Sequence, residues 1–96
     1  MNVRFLSIAE VELDEAIAYY EEKEIGLGVR FLLEIRNAVE RIIAYPEAWN
    51  LLSANARRCR TKVFPYGIIY QIRHDEILIL AISSLHREPA YWQDRL

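Results

Sequence analysis

Ninety-six residues, 53% of them hydrophobic and 27% charged, can bury one core and not two, so a single domain over residues 1–96 is expected and an intrinsically disordered chain is excluded. A net charge of −2 argues against a general nucleic-acid binder. The charge is uneven, however: residues 1–56 hold five Lys/Arg against ten Asp/Glu and residues 57–96 hold seven against four, an asymmetry that points to a local cationic site.

Residues 3–7 form a short apolar strand candidate. Ser7-Ile8-Ala9-Glu10 has the Ser-x-x-Glu form of a capping box and predicts a helix start. Ala9, Leu13, Ala16, Ile17 and Tyr20 then recur at helical spacing, while the acids between Glu10 and Glu24 fall mostly elsewhere and read as a solvated face. Gly26 and Gly28 mark a tight connection. Phe31, Ile35, Ala38, Val39 and Ile42 draw a second apolar stripe, which Tyr45-Pro46 ends. Two helices joined so closely predict an antiparallel hairpin.

From Arg57 the period shifts to two: Cys59, Thr61 and Val63 alternate with Arg58, Arg60 and Lys62. Pro65-Tyr66-Gly67 supplies turn chemistry, Ile68–Ile72 reads as the next strand, and His74-Asp75 as a turn. Glu76–Ile82 is nearly continuous in apolar character, the mark of a central strand buried on both faces. The predicted class is α+β: an N-terminal strand, a two-helix hairpin, then three antiparallel strands. Together they make a sheet of about four strands with the helices on one face.

The opening residues hold no apolar run long enough for a signal peptide, and no stretch approaches the about 18 apolar residues of a membrane span, so a cytoplasmic protein is expected. Cys59 is the only cysteine; it admits no internal disulfide and no cysteine-based zinc site, and reads as a packed small hydrophobe. No metal-ligand cluster, phosphate loop or catalytic triad spacing is present, and no cofactor is expected.

Two groups could carry chemistry. Arg58, Arg60 and Lys62, with Arg57 beside them, would project from one strand face about 7 Å apart with no acid between Arg57 and Pro65. That arrangement suits phosphates or an acidic peptide; the plainer alternative is a charged strand that discourages edge pairing. At the end of the last strand, Ser83-Ser84-Leu85-His86-Arg87 offers a group that exchanges protons near neutral pH and a cation for a developing anion. Tyr91 and Trp92 read as plugs over the sheet edge, with Tyr91 as an acid/base or stacking residue the lesser possibility.

Ala16-Ile17-Ala18-Tyr19-Tyr20-Glu21, Leu27-Gly28 with Phe31, Phe64-Pro65-Tyr66-Gly67-Ile68-Ile69-Tyr70, and Arg87-Glu88-Pro89-Ala90-Tyr91-Trp92 resemble, in order, the landmarks of the RelE/ParE family of toxins. The resemblance covers residues 4–93. It implies a helical hairpin on a small, mainly antiparallel sheet, and a toxin neutralised by a cognate antitoxin, with no membrane partner and no small-molecule substrate. The family divides into gyrase inhibitors and ribosome-dependent mRNA endoribonucleases. On the ribonuclease side the resemblance gives His86, Arg87, Tyr91 and Arg60 catalytic roles. Arg57, Arg58, Arg60, Lys62 and Arg87 are the residues expected to bind target or antitoxin. Many ribonuclease members carry an arginine where this chain has Gly67, and the Phe-Pro-Tyr-Gly and Arg-Glu-Pro-Ala-Tyr-Trp forms look closer to the ParE side, so interference with DNA gyrase is the leading expectation.

Overall fold

The structure, a computed structural model, describes all 96 residues. Strand β1 (Asn2–Phe5) leads into helices α1 (Ser7–Lys23) and α2 (Leu27–Ala44), followed by β2 (Asn50–Ser53), β3 (Ala56–Arg60), β4 (Tyr66–Arg73) and β5 (Glu76–Ser84), with a short 3-10 turn at Gln93–Arg95. The sheet has five strands in the order β1-β5-β4-β3-β2. β1 runs parallel to β5 and every other pair is antiparallel. The fold is therefore the expected helical hairpin on one face of a mainly antiparallel sheet, with β5 central and buried along most of its length.

One strand more than expected is present. β2 pairs with β3 through Asn50↔Arg58 and Leu51↔Arg57. Its residues are exposed or half-buried, and an edge strand with no buried face has no alternation to announce it.

α1 begins where the Ser-x-x-Glu motif places it, but not by its chemistry. Leu6 occupies the cap position, Ser7 is already helical, and no side chain caps the helix. The first turn is closed by backbone instead, the Glu10 amide donating to the Leu6 carbonyl.

α2 has the side-chain cap that α1 lacks. The Glu21 carboxylate accepts from the amides of Gly26 at 3.0 Å and Gly28 at 3.0 Å, placing a negative charge on the free N–H groups of a helix N-terminus. Gly26 adopts a left-handed φ of 89° to make the reversal. A Cβ added at Gly28 would lie 2.8 Å from the Ile17 carbonyl oxygen, so glycine lets the two helices touch through backbone. We expect Gly28→Ala to destabilise the hairpin in urea unfolding, because overpacking of about 1–3 kcal/mol outweighs a helix-propensity gain of at most about 1 kcal/mol.

The main core lies between hairpin and sheet. Phe31, Ile35, Ala38 and Ile42 of α2, with Ala9 and Ala16 of α1, pack on Cys59, Ile68, Tyr70, Ile77, Ile79 and Ile82. The Tyr70 hydroxyl donates to the Pro46 carbonyl, tying the α2–β2 connection to the sheet, and burial pushes its phenol up to about 12.

A second core covers the opposite face. Trp92, only 2% exposed, packs there with Ala56, Ile69, Leu78, Leu80 and Ala81. Trp92 is therefore a face plug and not the edge plug expected from sequence. Between Ile69↔Ala81 and Tyr70↔Ile79 the register shifts by one residue. This bulge lets adjacent Leu80 and Ala81 both serve the second core.

Candidate functional site

β3 ends at Arg60, three residues short of the expected alternation, which runs to Val63. The Thr61 amide donates to the Tyr66 carbonyl at 3.0 Å and the Thr61 hydroxyl to the Phe64 carbonyl at 2.7 Å, pulling residues 61–66 into a tight turn. Thr61 is buried as expected, but Val63 is 66% exposed and packs under nothing. The turn also breaks the cationic row. Lys62 leaves the strand line and borders a cavity shared with Asn37, Glu40 and Arg41 of α2, while its amide donates to Glu34 at 3.1 Å. Arg57 shares the helix-facing side with Cys59 and donates to the Trp49 carbonyl at 2.9 Å.

What remains of the row is a pair. Arg58 and Arg60 pair with Ile69 and Gly67 on β4 and point to the face away from the helices, the face on which Ala56 and Ile69 are buried. Neither meets a carboxylate: the molecule's two ion pairs are Arg4–Glu76 and Arg95–Glu12. Arg58 leans across Gly67, where a Cβ would stand 2.8 Å from both its Cγ and its Cδ. Its Nε is enclosed without an acceptor. Burial, and then the charge of Arg60, lower the Arg58 pKa below its ordinary value. Arg58 thus lies over the space that the glycine leaves.

The residues proposed at the end of β5 are only partly gathered. Arg87 stacks on Tyr91, its guanidinium carbon 3.9 Å from the ring centroid. His86 lies exposed in the turn after β5; its amide donates to Ser84 Oγ at 3.2 Å, and its imidazole makes no hydrogen bond. Arg60 stands apart, because Gly67 and then Ser83 lie between it and the far side of β5 in register. Serine, tyrosine and arginine do converge near α1, where Tyr66, Ser84 and Arg87 border a cleft of about 210 Å³ with Glu12, Glu15 and Tyr19.

Sequence reasoning missed Glu12, which reads there as one acid among many on a solvated helix. Its carboxylate accepts from the Ile82 amide at 3.1 Å, from the Tyr91 hydroxyl at 2.9 Å and from both terminal nitrogens of Arg95 at 2.9 and 3.0 Å. Arg95 also donates to the Leu80 carbonyl at 2.9 Å. β1 covers β5 only as far as Ile79, so Glu12 and Arg95 satisfy the open stretch of edge beyond it. The Tyr91 phenol is consequently held as a donor. Burial raises its pKa most; the Ser83 hydroxyl opposes the shift and Glu12 adds to it.

No group of His, Cys, Asp and Glu residues is placed to hold a metal ion, and no helix is long and apolar enough to cross a membrane.

A model of the ParE toxin of the type II toxin–antitoxin system parDE matches residues 3–89. Among solved structures, a chain described as the chromosomal ParDE TA system from P. aeruginosa superposes with a TM-score of 0.63 at 17% identity, covering 88% of this chain and 95% of that one. No curated protein sequence matches. With the family match running from the first strand into the tail beyond β5, the chain belongs to the ParE toxin family of type II toxin–antitoxin systems.

Proposed function

We propose that the chain inhibits growth by binding DNA gyrase and interfering with it, and that a cognate antitoxin neutralises it. The family match and the two-component description of the structural neighbour support this reading. The observation that carries it is the dispersal of the acid–base set. Tyr91 is committed to Glu12 and covered by Arg87, and Arg60 lies two strands from β5. A general acid or base must reach the proton it transfers, in a geometry shared with its partners. Binding needs no such convergence, and unneutralised arginines on a rigid strand suit it.

The competing reading is ribosome-dependent mRNA cleavage by His86, Arg87, Tyr91 and Arg60. It is favoured by the unoccupied imidazole of His86 beside the cleft-lining Arg87.

Induced expression separates the two. Gyrase interference is expected to produce broken DNA and a damage response while transcripts stay intact, read by pulsed-field electrophoresis and primer extension. Cleaved transcripts with undamaged DNA overturn the proposal in favour of the ribonuclease.

A further inference from the structure

We propose that the outward face of α2, with the 61–66 turn beside it, is the contact through which two copies of this chain pair about a two-fold axis. Leu33 and Val63 pack against their counterparts, and Arg30 of each copy meets Glu34 of the other.

The two helices turn different faces to solvent. α1 exposes acids, among them Glu10, Glu15 and Glu22. α2 leaves Val29 60% and Leu33 49% exposed, one helical turn apart, and Val63 stands beside them at 66%. Apolar residues scattered singly over a surface need no explanation, but these are joined. Leu33 and Val63 line a groove of about 260 Å³ that reaches down to Phe64, and Val29 extends it by a turn. A contiguous apolar patch of this kind marks an interaction surface.

The charges around the groove select its occupant. Arg30 and Glu34 border it, and neither belongs to an ion pair within the molecule, whose two pairs lie elsewhere. A strongly acidic or strongly basic partner would be attracted by one of them and repelled by the other. A second copy is not. When a two-fold axis crosses α2 between Arg30 and Glu34, the two helices run antiparallel, each Arg30 comes to the partner's Glu34, and Leu33, next to the axis, meets its own image. Both charges are answered and the groove is covered by one self-complementary contact, as an isologous dimer requires.

The dimensions fit a weak dimer. An 18-residue helix is about 27 Å long, and its outward face with the adjoining turn can cover about 600 Å² per copy, the lower end of the range for specific interfaces. Arg58 and Arg60 point away on the other side of the sheet and stay open in such a pair.

The inference does not rest on gyrase inhibition, and its test is the oligomeric state of the purified full chain, so either reading can fail without the other. Sedimentation velocity is expected to show a monomer–dimer equilibrium across about 1 to 200 µM, the affinity range of an interface at the small end. Leu33→Asp is expected to raise the dimer dissociation constant at least tenfold and Val63→Ser several-fold, with circular dichroism unchanged because both side chains are exposed. Val11→Asp, at an exposed apolar position of α1, is expected to leave association as it is. Arg30→Glu and Glu34→Arg are each expected to weaken self-association several-fold, because like charges then face each other across the axis, whereas an equimolar mixture of the two variants is expected to form a heterodimer at least as tight as the parent. Glu34→Arg also removes the acceptor of the Lys62 amide; should that variant fold poorly, Arg30→Glu and Leu33→Asp carry the test. A chain that stays monomeric throughout, association indifferent to Leu33→Asp or to Arg30→Glu, an equal loss with Val11→Asp, or folded charge variants whose mixture stays as weak as either alone overturns the proposal, the first leaving this face to a different protein.

Discussion

Glu12→Ala is expected to be among the most destabilising single substitutions in the chain, lowering unfolding free energy by about 3–5 kcal/mol, the usual cost of removing one partner from a buried ion pair. The Glu12 and Arg95 side chains are 10% and 15% exposed, so deleting the carboxylate leaves a cation with little water to solvate it. The same change strips acceptors from the Ile82 amide and the Tyr91 hydroxyl, both at a sheet edge with no other strand to offer. For a domain of this size the loss corresponds to a fall in Tm of more than about 12 °C. Glu12→Gln keeps an acceptor for Ile82 and is expected to lose less. In a double-mutant cycle with Arg95→Ala the two losses are expected to be strongly non-additive. A Glu12→Ala penalty below about 1 kcal/mol in urea unfolding, or additive losses in the cycle, would show that the network is not a structural clasp.

Phe31→Ala is the second large effect, with an expected loss of about 3–5 kcal/mol. Phe31 is fully buried at the centre of an aromatic cluster, its ring centroid 5.2 Å from Tyr20, 5.1 Å from Phe64 and 4.9 Å from Tyr66. Three ring contacts disappear with it, and the cavity cannot collapse easily because two of its walls belong to the 61–66 turn, pinned by Thr61. Phe31→Leu fills most of the volume and is expected to cost clearly less. The damage should also be local: hydrogen exchange at the Thr61 amide is expected to accelerate more than exchange in β5, since Phe64 and Tyr66 lose the ring on which they rest. Uniform loss of protection would mean that the turn is held by its hydrogen bonds alone.

The elements whose apolar spacing is driven by burial were legible. Phe31, Ile35, Ala38 and Ile42 repeat at helical spacing because one helix face meets the sheet. β5 is apolar throughout because it lies between β1 and β4 and beneath two cores. β2 was not legible, since a short edge strand buries too little to leave a pattern. Lys62 was misplaced for a different reason. Alternation from Cys59 to Val63 persists in the letters, but the Thr61 hydroxyl and amide end the strand through hydrogen bonds that no periodicity encodes.

The candidate site divides in the same way. That arginines at positions 58 and 60 would share a face, and that no nearby acid in sequence would meet them, follows from a period of two and a local absence of carboxylates. That no distant acid meets them either, that Arg58 crosses Gly67, and that Asn50 stands beside Arg58 depend on strand register between segments far apart in sequence. Glu12 is the sharpest case: among the acids of α1 nothing in its neighbours distinguishes it, and only the end of β1 at Phe5, which leaves two groups of β5 unpaired, turns it into an anchor. Composition and periodicity determine which faces must be buried, because hydrophobic burial depends on spacing along one element. Which polar groups find each other is decided by the assembled fold, because a hydrogen bond or ion pair needs two atoms within about 3 Å, and the chain meets that condition only once its strands are in register.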